Sequence, residues 1–420
     1  MKWNERKAKD AIEAFSFGSE ELVAASEVFR SEMEKGIAGD KSSTLNPLPS
    51  YLGLPTGDEQ GDFIALDFGG TNVRAERVRL FGGGKYERSA CVAHPLIVPG
   101  RYNHANGGET AKGLFGFIAE IVDSVIGGDR ETPYRLGHTF SFPAFQESPK
   151  DARLLSWTKE LTVPDVEGHW INERLNEAMQ ARGMDNVRPT AILNDTVAVM
   201  LSAAYQWDDV VIGSIYATGF NACYLEKFGG AKPPMVMNLE AGNFGWFDQN
   251  EYDAALDKAS EKPGSQLLEK MVSGRYVGAL FSQALGDVVG ETFPAVTGED
   301  IYHIIRGDDQ GLLQRMANDS LTEEQIRESI ALAEAIVRRS ARIAAAVYAG
   351  ILHHVGSAGD AGGKNIAVEG SFFTHMSMAR ATLHEALKEL LGDDARHVQV
   401  WQVTGGASLG AALAASMIEK

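Results

Sequence analysis

The sequence predicts an α/β protein of two domains facing each other across a cleft, and two observations carry that expectation. The chain has 420 residues, 44% hydrophobic and 23% charged, and single hydrophobic cores stop growing well short of that length. Two strand-turn-strand units of one design recur. Phe63-Ile64-Ala65-Leu66 meets the turn Gly69-Gly70-Thr71-Asn72 and continues as Val73 to Leu80, and Val210 to Tyr216 meets Thr218-Gly219-Phe220-Asn221 and continues as Ala222 to Leu225. Two hairpins with Thr, Gly and Asn at the bend read as traces of a duplicated α/β domain.

The remaining elements follow in order. Residues 1 to 45 are helical in pattern, with Ile12, Phe15, Leu22, Phe29 and Met33 at helical intervals, until Asn46-Pro47-Leu48-Pro49 and Pro55 break it. Leu114 to Ile126 has helical periodicity. Ala191-Ile192-Leu193 is a strand ending at Asn194-Asp195-Thr196, and Val197 to Tyr205 is a helix that Asp195 or Thr196 would cap. The clearest element is a helix from about Thr322 to His354, where Ile326, Ile330, Ala333, Val337, Ala344, Val347 and Ile351 share a core face behind the capping candidates Ser320 and Thr322. Ile366 to Glu369 is a strand meeting Gly370-Ser371, and Gly405-Gly406-Ala407-Ser408 precedes a final helix of small residues.

Composition narrows the function classes. A formal charge of −18 repels nucleic acid and anionic lipid, and no basic run offsets it. The start, Met1 to Lys7, has mixed charge and no apolar core follows, so neither a signal peptide nor a membrane anchor is expected, and the expected location is the cytoplasm. Cys91 and Cys223 are the only cysteines and stand far apart, against a disulfide framework or zinc cluster. The histidines form no HExxH pattern, and His353 and His354 would diverge on a helix, so no protein-held metal site is expected.

Asp67-Phe68-Gly69-Gly70-Thr71-Asn72-Val73-Arg74 places an acid at a strand end and two glycines at a turn. Glycines allow positive φ and bare N–H groups that bond phosphoryl oxygens, and Asp67 could hold magnesium through water. Alone, this is equally well a plain hairpin turn; its twin at Thr218-Gly219 shifts the balance. Asn194-Asp195-Thr196 ends a strand between the hairpins. A hydroxyl is a poor nucleophile until its proton can leave, and a carboxylate within hydrogen-bond reach accepts that proton as the bond to phosphorus forms. The plainer reading of Asp195 is a helix cap.

The segment from Asp62 through Arg74 resembles the first phosphate motif of hexokinases, and Thr139-Phe140-Ser141-Phe142-Pro143 resembles their sugar-binding signature. Ser156-Trp157-Thr158-Lys159, Asn194-Asp195-Thr196-Val197, Asn221-Ala222-Cys223-Tyr224, Asn238-Leu239-Glu240, Glu269 to Gly274 and Val368-Glu369-Gly370-Ser371 follow in the family's order, so the resemblance covers nearly the whole chain. It implies the two-domain actin-like (ribonuclease H-like) fold of hexokinase type, whose interdomain cleft closes over a sugar and excludes water. The small domain is expected at 59–193 plus 406–420 and the large at 1–58 plus 194–405.

The implied activity is transfer of the terminal phosphoryl group of ATP, carried with Mg2+, to the 6-hydroxyl of a hexose, glucose first, with mannose and fructose as alternatives. The resemblance implies sugar contacts at Ser141, Thr158, Lys159, Asn194, Asp195, Asn221, Glu240 and Glu269, with Asp195 as catalytic base and Lys159 balancing charge. It implies nucleotide contacts at Gly69, Gly70, Thr71, Asn72, Thr218 and Gly219, with Gly370 and Ser371 near the adenosine; apart from the resemblance, Asp67 at its strand end and Arg275, at a position that varies in the family, are further candidates on the nucleotide side. Three positions depart from the family pattern: His138 replaces an aromatic residue, Ala217 the first glycine of the second phosphate turn, and Phe220 a small residue within it. The glycine-rich run Gly405 to Gly410 follows it in part. A repressor-related sugar kinase would carry a cysteine-rich zinc motif, which two distant cysteines oppose, and a sugar sensor without catalysis would not need Asp195, Lys159 and both phosphate turns.

Overall fold

The computed structural model describes residues 2–158, 161–228, 232–307, 311–317, 321–356 and 363–418. They divide into two compact units, one of residues 1–47, 215–222 and 239–402, the other of residues 48–214, 223–238 and 403–420.

In the second unit a five-stranded sheet has the order Val187–Leu193, Tyr134–Phe140, Gln60–Phe68, Asn72–Gly82, Lys85–Pro95. The first three strands are parallel, with Phe68 beside Phe140 and Thr139 beside Leu193. The hairpin pairs Asp67 with Arg74 and Phe68 with Val73. One face buries Ile64, Leu66, Phe68, Leu136 and Ile192 against the helices Ala111–Ile126 and Ile171–Gln180. Thr110 caps the first of these, its side chain accepting from the Gly113 N–H, and Gly127 ends it at φ 62°.

The helix Gly406–Met417 lies against the same sheet and against the helix Asp195–Gln206. Its approach depends on two missing side chains. A Cβ on Gly137 would stand 1.8 Å from the Ala411 carbonyl oxygen, and one on Gly410 would stand 2.2 Å from that of Ala198. Gly213 serves likewise beneath the start of Asp195–Gln206, where a Cβ would meet the Thr196 oxygen at 2.6 Å. Cys223 is buried in the same layer, 3.8 Å from the Met200 sulfur, and desolvation pushes its thiol up to about 12. It is a packing residue with no thiolate at neutral pH.

In the first unit the helix Glu323–His354 is the central element, packed by Glu5–Ala14, Ser19–Ile37, Gly274–Val289 and Ser377–Leu391. Thr322 caps it in a capping box with Gln325. Helical periodicity over residues 1 to 45 resolves into two helices broken at Ser16–Gly18. Arg339 forms a bidentate pair with Asp253 at 2.6 and 2.7 Å and lies over the Phe15 ring. Both side chains are buried, so removing one strands the other's charge. The strand Lys364–Glu369 is paired with Val398–Val403.

Gly137→Val is expected to lower stability by about 2 kcal/mol or more, since the helix Gly406–Met417 must retreat from the sheet. Urea midpoints measure this; an unchanged midpoint contradicts the packing described.

Candidate active site

In the second unit, three parallel strands end at one edge of the sheet, and each end carries expected site residues. Gln60–Phe68 delivers Asp67 and the turn Gly69–Thr71, Tyr134–Phe140 delivers Ser141, and Val187–Leu193 delivers Asn194 and Asp195. The turn is held by the Gly69 N–H donating to the Asn72 oxygen at 3.1 Å and Leu96 N–H to Thr71 at 2.8 Å, while Ser141 N–H donates to Phe68 at 3.3 Å. Gly69 keeps an ordinary negative φ, so left-handed backbone is not the reason for this glycine. A Cβ there would meet only the Asn72 oxygen, at 3.7 Å. What glycine supplies is uncovered backbone.

The cap of the helix Asp195–Gln206 is Asn194, not Asp195 or Thr196 as the sequence suggested. Its Oδ1 accepts from the Thr196 N–H at 2.9 Å and hydroxyl at 2.7 Å. Asp195 is thereby the first helical residue, with its carboxylate half-buried at the positive end of the helix dipole and one oxygen accepting from the Thr196 N–H at 2.9 Å. The segment ending at Thr158 is anchored by Trp157, whose indole donates to Val163 at 2.8 Å and whose ring packs edge-on against Phe142 at 5.0 Å and Phe68 at 6.2 Å. Lys159 lies outside the described residues.

In the first unit, Asn221, Glu240 and Glu269 converge on one corner. A Cβ on Gly242 would meet Gln266 Oε1 at 2.4 Å, Glu269 Cβ at 3.2 Å and the Phe220 oxygen at 3.2 Å, which shows how closely the three segments pack. Asn221 Oδ1 accepts from Ala241 N–H at 2.9 Å, and Glu269 Oε2 accepts from Phe220 N–H at 3.1 Å. Glu240 has φ 50° and ψ 47°. A left-handed glutamate is strained, and such strain concentrates at functional sites.

The second turn, Ala217 to Gly219, is bonded to the start of the helix Gly274–Val289, with Gly274 N–H donating to Ala217 at 2.8 Å and Arg275 N–H to Thr218 at 3.3 Å. Gly370, at φ 145°, passes so close that a Cβ would stand 2.3 Å from the Tyr216 oxygen. These approaches surround a pocket of about 640 Å³ lined by Thr218, Arg275 and Ser371, and also by Thr297, Gly298, Glu299, Tyr302, His303, Phe372, His375 and Met376. The latter eight were not anticipated, and five of them lie in the segment Thr297–His303, which follows no phosphate motif. Its one local signal is the capping box Thr297 to Asp300. The volume falls within the range of about 300–1,000 Å³ usual for small-molecule sites.

Comparison with known proteins bears on this geometry. Residues 7–205 and 211–417 match the two hexokinase family models. The chain belongs to the hexokinase family. Hexokinase-1 of Oryza sativa subsp. japonica is 34% identical over 457 residues, covering 98% of this chain and 91% of that protein. A hexokinase from Schistosoma mansoni, solved in complex with glucose, superposes with a TM-score of 0.87 at 26% identity, covering 98% of each chain. A ROK hexokinase from Thermus thermophilus shares the fold more distantly, with a TM-score of 0.50 at 19% identity over 84% of this chain and 97% of that one. The expected two-domain actin-like fold of hexokinase type therefore stands.

The three departures from the hexokinase pattern have physical accounts. Ala217 keeps an ordinary φ, so its methyl group costs no backbone strain. Phe220 turns its ring into the core against Tyr216 at 5.4 Å and Tyr348 at 6.1 Å, leaving only backbone at the turn. His138 replaces one aromatic ring by another: it stacks on Phe68 at 6.4 Å and packs against Phe140 at 5.6 Å, fully buried. Its Nδ1 bonds Asn172 Oδ1 at 3.0 Å and its Nε2 is buried with no partner, so desolvation holds its pKa down to about 4.

That histidine makes stability depend on pH. The folded value lies below the ordinary 6.5, so the unfolded chain takes the proton first. The neutral ring's contribution is complete above about pH 6.5 and is lost as pH falls toward 4, about 3 kcal/mol in all at about 1.4 kcal/mol per unit. His138→Phe, which cannot titrate, is expected to flatten the profile of urea midpoints between pH 4 and 6.5; identical slopes for both proteins would count against the assignment.

Proposed function

We propose that the chain transfers the terminal phosphoryl group of ATP to the 6-hydroxyl of a hexose, glucose foremost, giving the hexose 6-phosphate that enters glycolysis. The observation that carries this reading is the position of Asp195, first residue of a capped helix at the sheet edge that also bears Ser141 and the turn Gly69–Thr71. There the carboxylate accepts the hydroxyl proton while the oxygen attacks phosphorus. Asn194 keeps the carboxylate on the helix's first turn by capping that helix.

Ser141, Thr158, Asn194, Asp195, Asn221, Glu240 and Glu269 are the sugar contacts that hexokinase membership suggests. Side-chain amides and carboxylates replace the water of its ring hydroxyls, and a hydroxyl left unpaired in such a site is costly. Lys159 supplies the cation beside the moving phosphoryl group. The pocket lined by Thr218, Arg275 and Ser371, with Gly370 beside it, takes the nucleotide, its apolar wall of Val296, Phe372 and Met376 suiting a base. Asp67, Gly69, Gly70, Thr71, Asn72 and Gly219 meet the phosphates.

Among the described residues no three His, Cys, Asp or Glu side chains group as a metal site. The ion is assigned to the nucleotide on chemical grounds, since Mg2+ is usually held by substrate phosphates, waters and one or two carboxylates, here Asp67. Bound, it neutralises phosphate charge. The functional lobes are taken as 59–193 with 406–420 and 1–58 with 194–405. No helix among the described residues is long and apolar enough to cross a membrane, and a cytoplasmic location is proposed, with no nucleic-acid or membrane partner.

Asp195→Ala is expected to retain glucose binding by calorimetry while turnover in a coupled assay falls by at least ~10²-fold. Near-normal turnover in that variant would refute the role given to Asp195.

A further inference from the structure

The first unit contains a second cavity, of about 570 Å³, that shares Tyr302, His375 and Met376 with the nucleotide pocket. Thr218 and Arg275 line only the nucleotide pocket. The two cavities therefore adjoin at the wall away from the phosphate turn.

The charge of this second cavity runs against the molecule. In a chain of formal charge −18, its lining gathers Arg306, Arg338 and Arg380 with one carboxylate, Glu385. Among the described residues Arg338 pairs with Glu334 alone, loosely at 3.6 Å, and its side chain is 52% exposed. Arg380 uses one of its three nitrogens on the carbonyls of Phe373 and Thr374, which fixes the guanidinium in place. Arg306 lies over the Tyr302 ring at 5.5 Å. Ser377 and Thr382 add hydroxyl donors. A base and ribose carry no charge that would call for three guanidinium groups, whereas phosphate oxygens match their planar donors.

We propose that this cavity is an anion site for a phosphate group other than the one transferred, coupled to the donor pocket through Tyr302, His375 and Met376. The coupling rests on the nucleotide reading given above; the anion site itself does not. The phosphate is that of a free anion, or a remote phosphate on a nucleotide seated next door.

Both sources are open to one experiment. ADP-saturated protein, its donor pocket filled, is titrated with tripolyphosphate by calorimetry, and in a second arm adenosine 3′,5′-bisphosphate is compared with AMP. One-to-one tripolyphosphate binding that weakens at least ~10-fold in Arg338→Glu and tightens in Glu385→Ala supports a free anion. A preference for the bisphosphate that Arg338→Glu abolishes supports the remote phosphate. Absence of binding in both arms, or an equal loss in the distant control Arg6→Glu, overturns the site. Failure of ADP itself to bind would instead count against the nucleotide pocket. Sugar phosphorylation at saturating ATP, expected unchanged in Arg338→Glu, verifies that the variant is folded.

Discussion

The register of three parallel strands is the constraint on which the rest of the second unit depends. Asp67 stands beside Thr139 and Phe68 beside Phe140, while Thr139 stands beside Leu193. Side chains alternate faces along a strand, so a slip of one residue would turn Phe68 and Phe140 out of the core and re-aim Asp67. The buried aromatic group of Phe68, Phe140, Phe142, Trp157 and His138 makes such a slip costly, since each ring packs against at least two others. The hydrophobic group that stabilises the unit thus also decides where the polar residues emerge.

In the first unit the corresponding constraint is backbone against backbone. Gly370 lies on Tyr216, Gly274 on Ala217, Gly298 on Gly274 and Gly278 on Val296, each too close for a side chain. These approaches bring the second turn, two helix starts and a strand end around one pocket. Polar backbone groups converge there because the glycines let helix starts, with their positive dipole ends, come near the turn. A strongly acidic protein can accommodate a polyanion in this way, since backbone dipoles attract phosphate without adding net charge.

Much of this was legible in the sequence for identifiable reasons. The two hairpins announce themselves by apolar runs around Gly and Thr, and the helix Glu323–His354 by a sustained apolar face behind Thr322. Asn194 was misread because Asn, Asp and Thr at successive positions are all good caps, and only backbone geometry separates the cap, at φ −69° and ψ 156°, from the first helical residue. The reason offered for Gly69 was also incomplete, since positive φ is one use of glycine and bare backbone another. The short hairpin Ala144–Ser148 with Asp151–Leu154 lacks a strong alternating pattern, and the wall Thr297–His303 is made by tertiary approach of a distant segment. Neither has a local signature.

Glu240 shows how stability and chemistry are traded in this fold. A left-handed glutamate costs of order 1 kcal/mol or more relative to glycine, which would adopt the same angles freely. Glycine, however, has no carboxylate to offer the proposed sugar, and the reversal at Glu240 is what turns the chain from the strand Met235–Asn238 into the short turn Ala241–Asn243, whose Ala241 N–H holds Asn221. The strain is compensated locally by that hydrogen bond and by the bond from Gln266 to Asn243 at 2.9 Å. Gln266 is itself left-handed, at φ 55°, immediately before the short helix bearing Glu269. Two strained residues thus precede two of the carboxylates assigned to the sugar or carry them directly, and a hydrogen bond one turn away ties their loops together. A backbone free of strain at both places would be more stable and would present neither carboxylate in this arrangement.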